Sequence, residues 1–135
     1  MDKLTEISNA LYQVIYDAIG GSLATWGDGE PVIVDGTIPE TVGDSLPVVS
    51  YRTNNYTDSF GIVDSTWIIN VWASTARGAN ALAAGLIGVL RDAQQTVEYD
   101  GTQYAIKTEA SGLPQIGEEG AVNSPVEVRV IYLGG

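Results

Sequence analysis

The stretch Asp64-Ser-Thr-Trp-Ile-Ile-Asn-Val-Trp-Ala-Ser-Thr75 decides the fold of this chain, together with the run from Ala76 to Arg91 that follows it directly. From Thr66 to Ala73 most residues are β-branched or aromatic, which is typical of a strand. Alternation predicts an apolar face made of Trp67, Ile69, Val71 and Ala73, and a mixed face made of Thr66, Ile68, Asn70 and Trp72. We expect the apolar face to meet the core. We expect the mixed face to be either partly exposed to solvent or covered by something beyond this chain.

From Ala76 to Arg91 the apolar period changes to that of a helix, and Ser74 or Thr75 is placed to cap its start. The apolar positions of this helix are Ala79, Leu82, Ala83, Leu86, Val89 and Leu90. It also contains several small residues, namely Gly78, Ala81, Ala84, Gly85 and Gly88. Because interior glycines weaken an isolated helix, we expect another backbone to approach closely, either the sheet or a neighbouring subunit.

A second amphipathic helix is predicted at the N-terminus, from Asp2 to Ile19. Its apolar stripe consists of Leu4, Ile7, Leu11, Val14, Ile15 and Ala18, and its polar side of Lys3, Glu6, Asn9, Gln13 and Asp17. Asp2 can cap the start and Gly20-Gly21 can supply a left-handed stop. We expect the apolar stripe to pack against the sheet.

A long hairpin is predicted before the central strand. Leu46 to Arg52 form a strand with Pro47 at its start, where a missing donor is tolerated. The polar connection from Thr53 to Gly61 is expected to be a loop that stands clear of the body. Its Asn55-Tyr56-Thr57 sequence matches a glycosylation sequon, but no secretory signal accompanies it.

Two further elements follow the second helix. Thr96 to Lys107 predict a hairpin whose Asp100-Gly101 turn suits the type I′ geometry. Pro125 to Leu133 alternate cleanly and predict a last strand. Its inward residues are expected to be Val126, Val128, Val130 and Tyr132, and its other face carries Glu127, Arg129, Ile131 and Leu133. The predicted fold is therefore α+β, a mixed and mainly antiparallel sheet of about five or six strands with two helices on one face.

Two long loops complete the chain, and both are acidic. In 22–45 the carboxylates Asp28, Glu30 and Asp35 offer the oxygen ligands that hard cations take, but their spacing does not fit an EF-hand and a solvated loop is expected. In 110–124 the pair Glu118-Glu119 would serve acid/base chemistry only if its surroundings separated the two pKa values. We expect a solvated acidic turn, and no metal site.

Composition limits the functions open to this chain. At 135 residues it is expected to form one domain, and it contains no cysteine and no histidine. Cysteine nucleophiles, thiolate metal sites and Ser-His-Asp arrangements are therefore excluded. With 6 basic and 17 acidic residues, its net charge of −11 disfavours phosphate backbones and anionic membranes. The sequence also has no apolar stretch of membrane-spanning length and no signal-peptide core, so we expect a cytoplasmic protein that needs no cofactor and is not an enzyme.

Candidate contact residues lie in the predicted loops and on the outer strand faces. The hairpin connection mixes aromatic rings with amides and a carboxylate, which is typical of a protein contact, although a mobile loop is the alternative. The candidates for subunit or partner contacts are Asn54, Asn55, Tyr56, Asp58, Phe60, Trp72, Glu118, Glu119, Arg129 and Ile131.

The order of elements resembles the tail terminator, or tail completion, proteins of long-tailed bacteriophages and related viruses. The likeness rests on the helix Leu4–Ile19, on Leu46-Pro-Val-Val-Ser-Tyr51, and on Ile68-Ile-Asn-Val-Trp-Ala-Ser74. The Ala-rich helix ending at Leu90-Arg91 and the strand Val126–Leu133 complete it. The resemblance covers nearly the whole chain as a pattern of elements, without an invariant motif.

The resemblance implies a homohexameric ring at the neck end of the virion tail, assembled in the host cytoplasm. Such a ring caps the tail tube, stops its polymerisation and presents the surface that joins the head. The implied partners are other copies of the chain, the tail tube protein and the head–tail connector protein. DNA would pass through an acidic lumen without specific binding.

Two alternatives remain open at the level of sequence. One is another head–tail joining protein, a connector or a stopper. The other is a small acidic ligand-binding or enzyme domain that uses carboxylates such as Asp58, Asp64 or Glu118, which would need a concave pocket.

Overall fold

In a computed structural model, the described residues are 2–36, 45–91, 95–99, 101–109, 115–116 and 121–132. Its helices are α1 (Lys3–Ile19) and α2 (Ala76–Arg91), with a short 3-10 helix at Gly20–Ser22. Its strands are β1 (Ile33–Asp35), β2 (Val48–Ser59), β3 (Ile62–Ala73), β4 (Gln95–Tyr99), β5 (Thr102–Glu109), β6 (Gln115–Ile116) and β7 (Val122–Tyr132). Six strands lie side by side in the order β1-β2-β3-β7-β5-β4, and the two-residue β6 pairs with β7. The predicted α+β fold is confirmed.

Strand β7 joins the two hairpins of the sheet. It pairs antiparallel with β3 from Asp64↔Ile131 to Ala73↔Val122, and antiparallel with β5 on its other edge. The β4–β5 pairing opposes Tyr99 to Thr102, as the Asp100-Gly101 turn predicted, and Gly101 has a φ of 76°. Only the β1–β2 pair is parallel among the described strands. The sheet is therefore mainly antiparallel.

The main core lies between this sheet and the two helices, which pack on the same face. The predicted apolar face of β3 is buried, with Trp67, Ile69 and Val71 at most 1% exposed. Val126, Val128 and Val130 of β7 are likewise fully buried. From the helices, the core receives Ile7, Leu11, Ile15, Ala83, Leu86 and Leu90. Alternation in the strands and helical spacing in α1 and α2 thus converge on one interior.

Both helices begin at caps that the sequence predicted. Asp2 accepts a hydrogen bond from the backbone N–H of Thr5 at 2.8 Å, and Thr75 Oγ1 accepts one from Gly78 at 3.0 Å. The predicted left-handed stop of α1 is wrong. Gly20 has a φ of −54°, and the chain continues into the short 3-10 helix.

Some helical positions differ from the predicted faces. Glu6, expected on the polar side of α1, is buried at 8% exposure, because Lys3 and Tyr104 supply its carboxylate with donors. Val89, expected in the core stripe of α2, is 43% exposed. The small residues Ala81, Ala84, Gly85 and Gly88 are exposed on α2. They do not face the sheet, but Gly85 lies against α1, where an added Cβ would be 3.7 Å from the Ile19 side chain. A contact of the other small residues with a neighbouring subunit stays a prediction.

The hairpin between β2 and β3 departs most from the sequence-based expectation. The residues 53–61, predicted as a loop, mostly belong to strands, and only Phe60 and Gly61 form the turn. Both turn residues have positive φ, 55° and 78°, the backbone geometry of a type I′ hairpin turn. A bulge between Thr53 and Asn55 interrupts the ladder. The predicted loop 110–124 is likewise shortened, because β7 begins at Val122 and β6 lies within it.

A second, smaller cluster covers one end of the outer sheet face. Val32 and Val48 are 1% exposed, and Ala24, Trp26, Val34, Leu46 and Trp72 pack around them. The segment before β1 is held there by hydrogen bonds, from Ala24 N–H to Pro47 O and from Val32 N–H to Ala24 O, both 2.8 Å. The mixed face of β3 is therefore covered at its Trp72 end by this chain itself.

Candidate interaction surfaces

The outer sheet face, which lies opposite α1 and α2, is the first candidate contact surface. Away from the Trp72 end, it carries the half-buried Ile68, Glu127 and Ile131. No described helix covers this part of the face. Apolar and charged side chains alternate on it, so it stays a candidate for a subunit contact.

Asp64 and Arg129 form an ion pair on this uncovered part of the outer face, which we call the open sheet face. Arg129 Nε donates a hydrogen bond to Asp64 Oδ1 at 3.0 Å. The side chain of Arg129 is 47% exposed and that of Asp64 is 31% exposed. The guanidinium beside Asp64 holds the pKa of that carboxyl below its ordinary value. A general acid needs a raised pKa, so this carboxylate is poorly suited to act as one.

The tip of the β2–β3 hairpin is the second candidate surface. Phe60 is fully exposed, at 103% of its reference area, and Ile62 is 62% exposed. The β3–β7 pairing ends at Asp64 among the described residues, and β1 pairs with β2 only as far as Tyr51. The tip therefore projects beyond the strands that flank the hairpin. The exposed Phe60 and Ile62 make this tip a candidate contact point.

The other predicted hairpin residues are divided between two sides of the strand. Asn54 lies in the bulge and Asn55 is exposed, whereas Tyr56 is half-buried opposite Ser65 and packs against the main core. Burial raises the pKa of the Tyr56 hydroxyl above its ordinary value. Asp58 is exposed opposite Val63, near the tip. Of the residues predicted here, Asn54, Asn55, Asp58 and Phe60 are exposed, whereas Tyr56 packs against the core.

The remaining predicted contact residues do not form one patch. Arg129 and Ile131 lie together on the open sheet face, next to Asp64. Trp72 lies at the other end of β3, roughly 27 Å away at strand spacing. Its indole Nε1 donates to Ser50 Oγ at 3.2 Å, so it is engaged within the chain. Glu118 and Glu119 lie outside the described residues.

A cavity that sequence reasoning missed lies between α1 and the β1–β2 edge. It has a volume of about 490 Å³. Its buried floor includes Ile33, Tyr51 and Trp67, and its outer wall includes Tyr12 of α1 and Asp35 of β1. The parallel β1–β2 pairing places Asp35 beside Tyr51, and no local sequence motif signals this arrangement.

Hydrogen bonds organise the polar end of this cavity. The hydroxyl of Tyr51 donates to the backbone carbonyl of Ser8 at 3.0 Å, and the hydroxyl of Ser8 donates to Asp35 Oδ2. Burial raises the pKa of Tyr51 to about 12, so its hydroxyl stays protonated at neutral pH. Asp28 and Glu30, grouped with Asp35 from sequence, do not line this cavity. Asp28 accepts a hydrogen bond from the backbone N–H of Glu30 at 2.9 Å. Across the described residues, no group of three or more carboxylates is placed to hold a metal ion.

Two comparisons with known proteins gave no match for this chain. No protein-family model matches it, and no curated protein matches it. Within the described part of the chain, neither helix has the length and apolar character needed to cross a membrane.

Proposed function

We propose that this protein is a structural virion protein of the tail terminator type, which forms a ring on the end of the tail tube. The observation that carries the proposal is the fully exposed Phe60 at the tip of a hairpin that projects beyond its flanking strands. An exposed aromatic ring at the end of a two-stranded hairpin can insert into a pocket of a partner and bury a large apolar area there. Phe60 and Ile62 would contact the tail tube or the connector.

The open sheet face supports the ring. A subunit of a ring contacts two neighbours through different surfaces. The half-buried Ile68, Glu127 and Ile131, together with the Asp64–Arg129 pair, would form one of them. The exposed small residues of α2 would let a neighbouring backbone approach the other. The net charge of −11 fits a ring whose lumen does not retain DNA.

The experiment is a capping assay with purified tail tube protein. Tube length is measured by electron microscopy with and without this protein, and its oligomeric state is measured by light scattering. We expect shorter tubes and a closed assembly of about six chains. The variant Phe60→Ser should lose capping, while Tyr16→Ser, which changes an exposed aromatic residue of α1, should keep it.

A binding arm separates the tail terminator from other head–tail joining proteins. Tail tube protein and head–tail connector protein are offered separately in a pull-down. Binding to the connector alone, with no effect on tube length, would reject the terminator in favour of a connector or stopper. Binding to neither partner would reject both.

A further inference from the structure

The cavity beneath α1 has the size and lining of a ligand site rather than of a packing defect. Its volume of about 490 Å³ falls within the range of roughly 300–1,000 Å³ that is usual for small-molecule sites. Its floor is made of aromatic and aliphatic side chains that are almost fully buried: Tyr51 is 3% exposed, Ile33 6% and Trp67 1%. An apolar stem of a ligand can therefore lie against it.

Charge is the second feature of this cavity. Among the described residues that line it, Asp35 alone carries a charge. Its Oδ2 accepts from the Ser8 hydroxyl, and within the described part of the chain Asp35 has no ion-pair partner. The hydroxyl of Tyr51 is already directed to the Ser8 carbonyl. The carboxylate is therefore exposed at the edge of the cavity, oriented by the Ser8 hydroxyl, and without a positively charged partner among the described residues.

We propose that this cavity binds an alkyl guanidinium or alkyl ammonium group, with the cation on Asp35 and the stem against Tyr51, Ile33 and Trp67. A carboxylate recognises such cations through charge-assisted hydrogen bonds. The ring of Tyr12, which is half-buried and lines the cavity, adds an attractive surface for a cation. An anion or a carboxylate ligand would instead meet a repulsive charge in the cavity and in a chain of net charge −11. This inference concerns a different part of the molecule from Phe60 and the open sheet face, and it does not rest on the proposed function.

The first test is a titration of the unaltered, ¹⁵N-labelled protein, followed by NMR at the backbone amide of Asp35 and the indole Nε1–H of Trp67. The probes are N-acetyl-arginine methylamide and N-acetyl-lysine methylamide. Their neutral analogues are the citrulline and norleucine methylamides. We expect a dissociation constant on the order of 1 mM for at least one cationic probe, and about tenfold weaker binding for its neutral analogue. Equal binding of the neutral analogue, or no shift at either signal, would overturn the proposal.

The second test compares two variants that each remove one negative charge. Asp35→Asn keeps an oxygen acceptor for Ser8 but removes the charge from the cavity. Asp17→Asn removes an exposed charge of α1 that does not line the cavity. We expect about tenfold weaker binding of the cationic probe for D35N and an unchanged constant for D17N. Unchanged binding in D35N would overturn the assignment, and the analogue comparison on the unaltered protein decides the matter even if D35N fails to fold.

The source of the cation is resolved in the same titration. 1,4-Diaminobutane is a free diamine, whereas the capped amino acids represent a side chain of a partner protein. Tighter binding of the diamine assigns the cavity to a free amine, and tighter binding of a capped amino acid assigns it to a partner's side chain. Either result requires that the cationic form binds better than the neutral one.

Discussion

The hydroxyl of Tyr104 donates a hydrogen bond to Glu6 Oε2 at 2.9 Å, although 98 positions of sequence separate the two residues. Lys3 Nζ donates to the same oxygen at 3.0 Å. These two hydrogen bonds hold the pKa of Glu6 below its ordinary value, and the bond from Lys3 has the larger effect. Burial and the adjacent carboxylate raise the pKa of Tyr104 well above its ordinary value. The Tyr104–Glu6 hydrogen bond links the first turn of α1 to β5.

Replacing Tyr104 by phenylalanine tests how much this hydrogen bond contributes to stability. Tyr104 is fully buried and Glu6 is 8% exposed, so the lost hydroxyl leaves a buried carboxylate with one donor fewer. We expect Tyr104→Phe to lower the free energy of unfolding by about 1–3 kcal/mol, measured by urea denaturation. Tyr16→Phe removes a hydroxyl from a ring that is 39% exposed and should change it by less than about 0.5 kcal/mol. Equal effects of the two variants would contradict the account.

Glu6 also predicts a dependence of stability on pH. Because its pKa is lowered in the folded state from an ordinary value of 4.5, its ionised form stabilises the fold above that pH. That contribution is lost as the pH falls from 4.5 through the lowered folded value. We expect the difference in unfolding free energy between the unaltered protein and Glu6→Gln to be largest at neutral pH and to shrink on acidification. A difference that stays constant with pH would contradict the prediction.

The local sequence pattern was sufficient to predict the elements that are determined by neighbouring residues. The bounds of α2 were predicted at Ala76 and Arg91 because a cap and an apolar period of helical spacing coincide there. The β4–β5 register followed from the Asp100-Gly101 turn, because a two-residue turn leaves one pairing. The buried face of β3 followed from alternation alone.

The errors arose where distant residues decide the structure. Asn54, Asn55 and Asp58 have low strand propensity, yet they lie in β2 because β3 offers a continuous partner. The burial of Glu6 depends on Tyr104, which no local window includes. The cavity beside Asp35 needs α1, β1 and β2 together, so its composition could not be read from any one segment.

The revised core assignment of α2 gives a matched pair of substitutions. Leu86 is fully buried and Val89 is 43% exposed, although both occupied the predicted apolar stripe. Leu86→Ala should lower the free energy of unfolding by about 2–5 kcal/mol, because it leaves a cavity in the core. Val89→Ala should change it by less than about 0.5 kcal/mol. Urea denaturation of both variants measures the contrast, and similar losses would show that Val89 is buried in solution.

At the Phe60 turn, the residue that suits the proposed partner contact is not the residue that would make the fold most stable. Phe60 has a φ of 55°, a conformation that bulky residues adopt rarely, and its side chain is fully exposed. Phe60→Asn creates an Asn-Gly turn and should raise the free energy of unfolding by about 0.5–1 kcal/mol. Gly61→Ala places a side chain at a φ of 78° and should lower it by about 1 kcal/mol.

Thermal unfolding of the two turn variants measures the effect. A stabilised Phe60→Asn that no longer caps tubes would separate the role of the aromatic ring from that of the fold. Destabilisation by this substitution would mean that the Phe60 ring packs against the protein.

The central place of β7 has a consequence for how the molecule is made. β3 and β5 are both hydrogen-bonded to β7, so the β2–β3 and β4–β5 hairpins are joined through a strand that begins at Val122. Each hairpin can form early from neighbouring residues, but the interior cannot close until β7 inserts between them. Pairings of such long range slow folding. Until that insertion, Trp67, Ile69 and Val71 are exposed on an unfinished strand, which makes the interval before β7 arrives the period of greatest risk of aggregation.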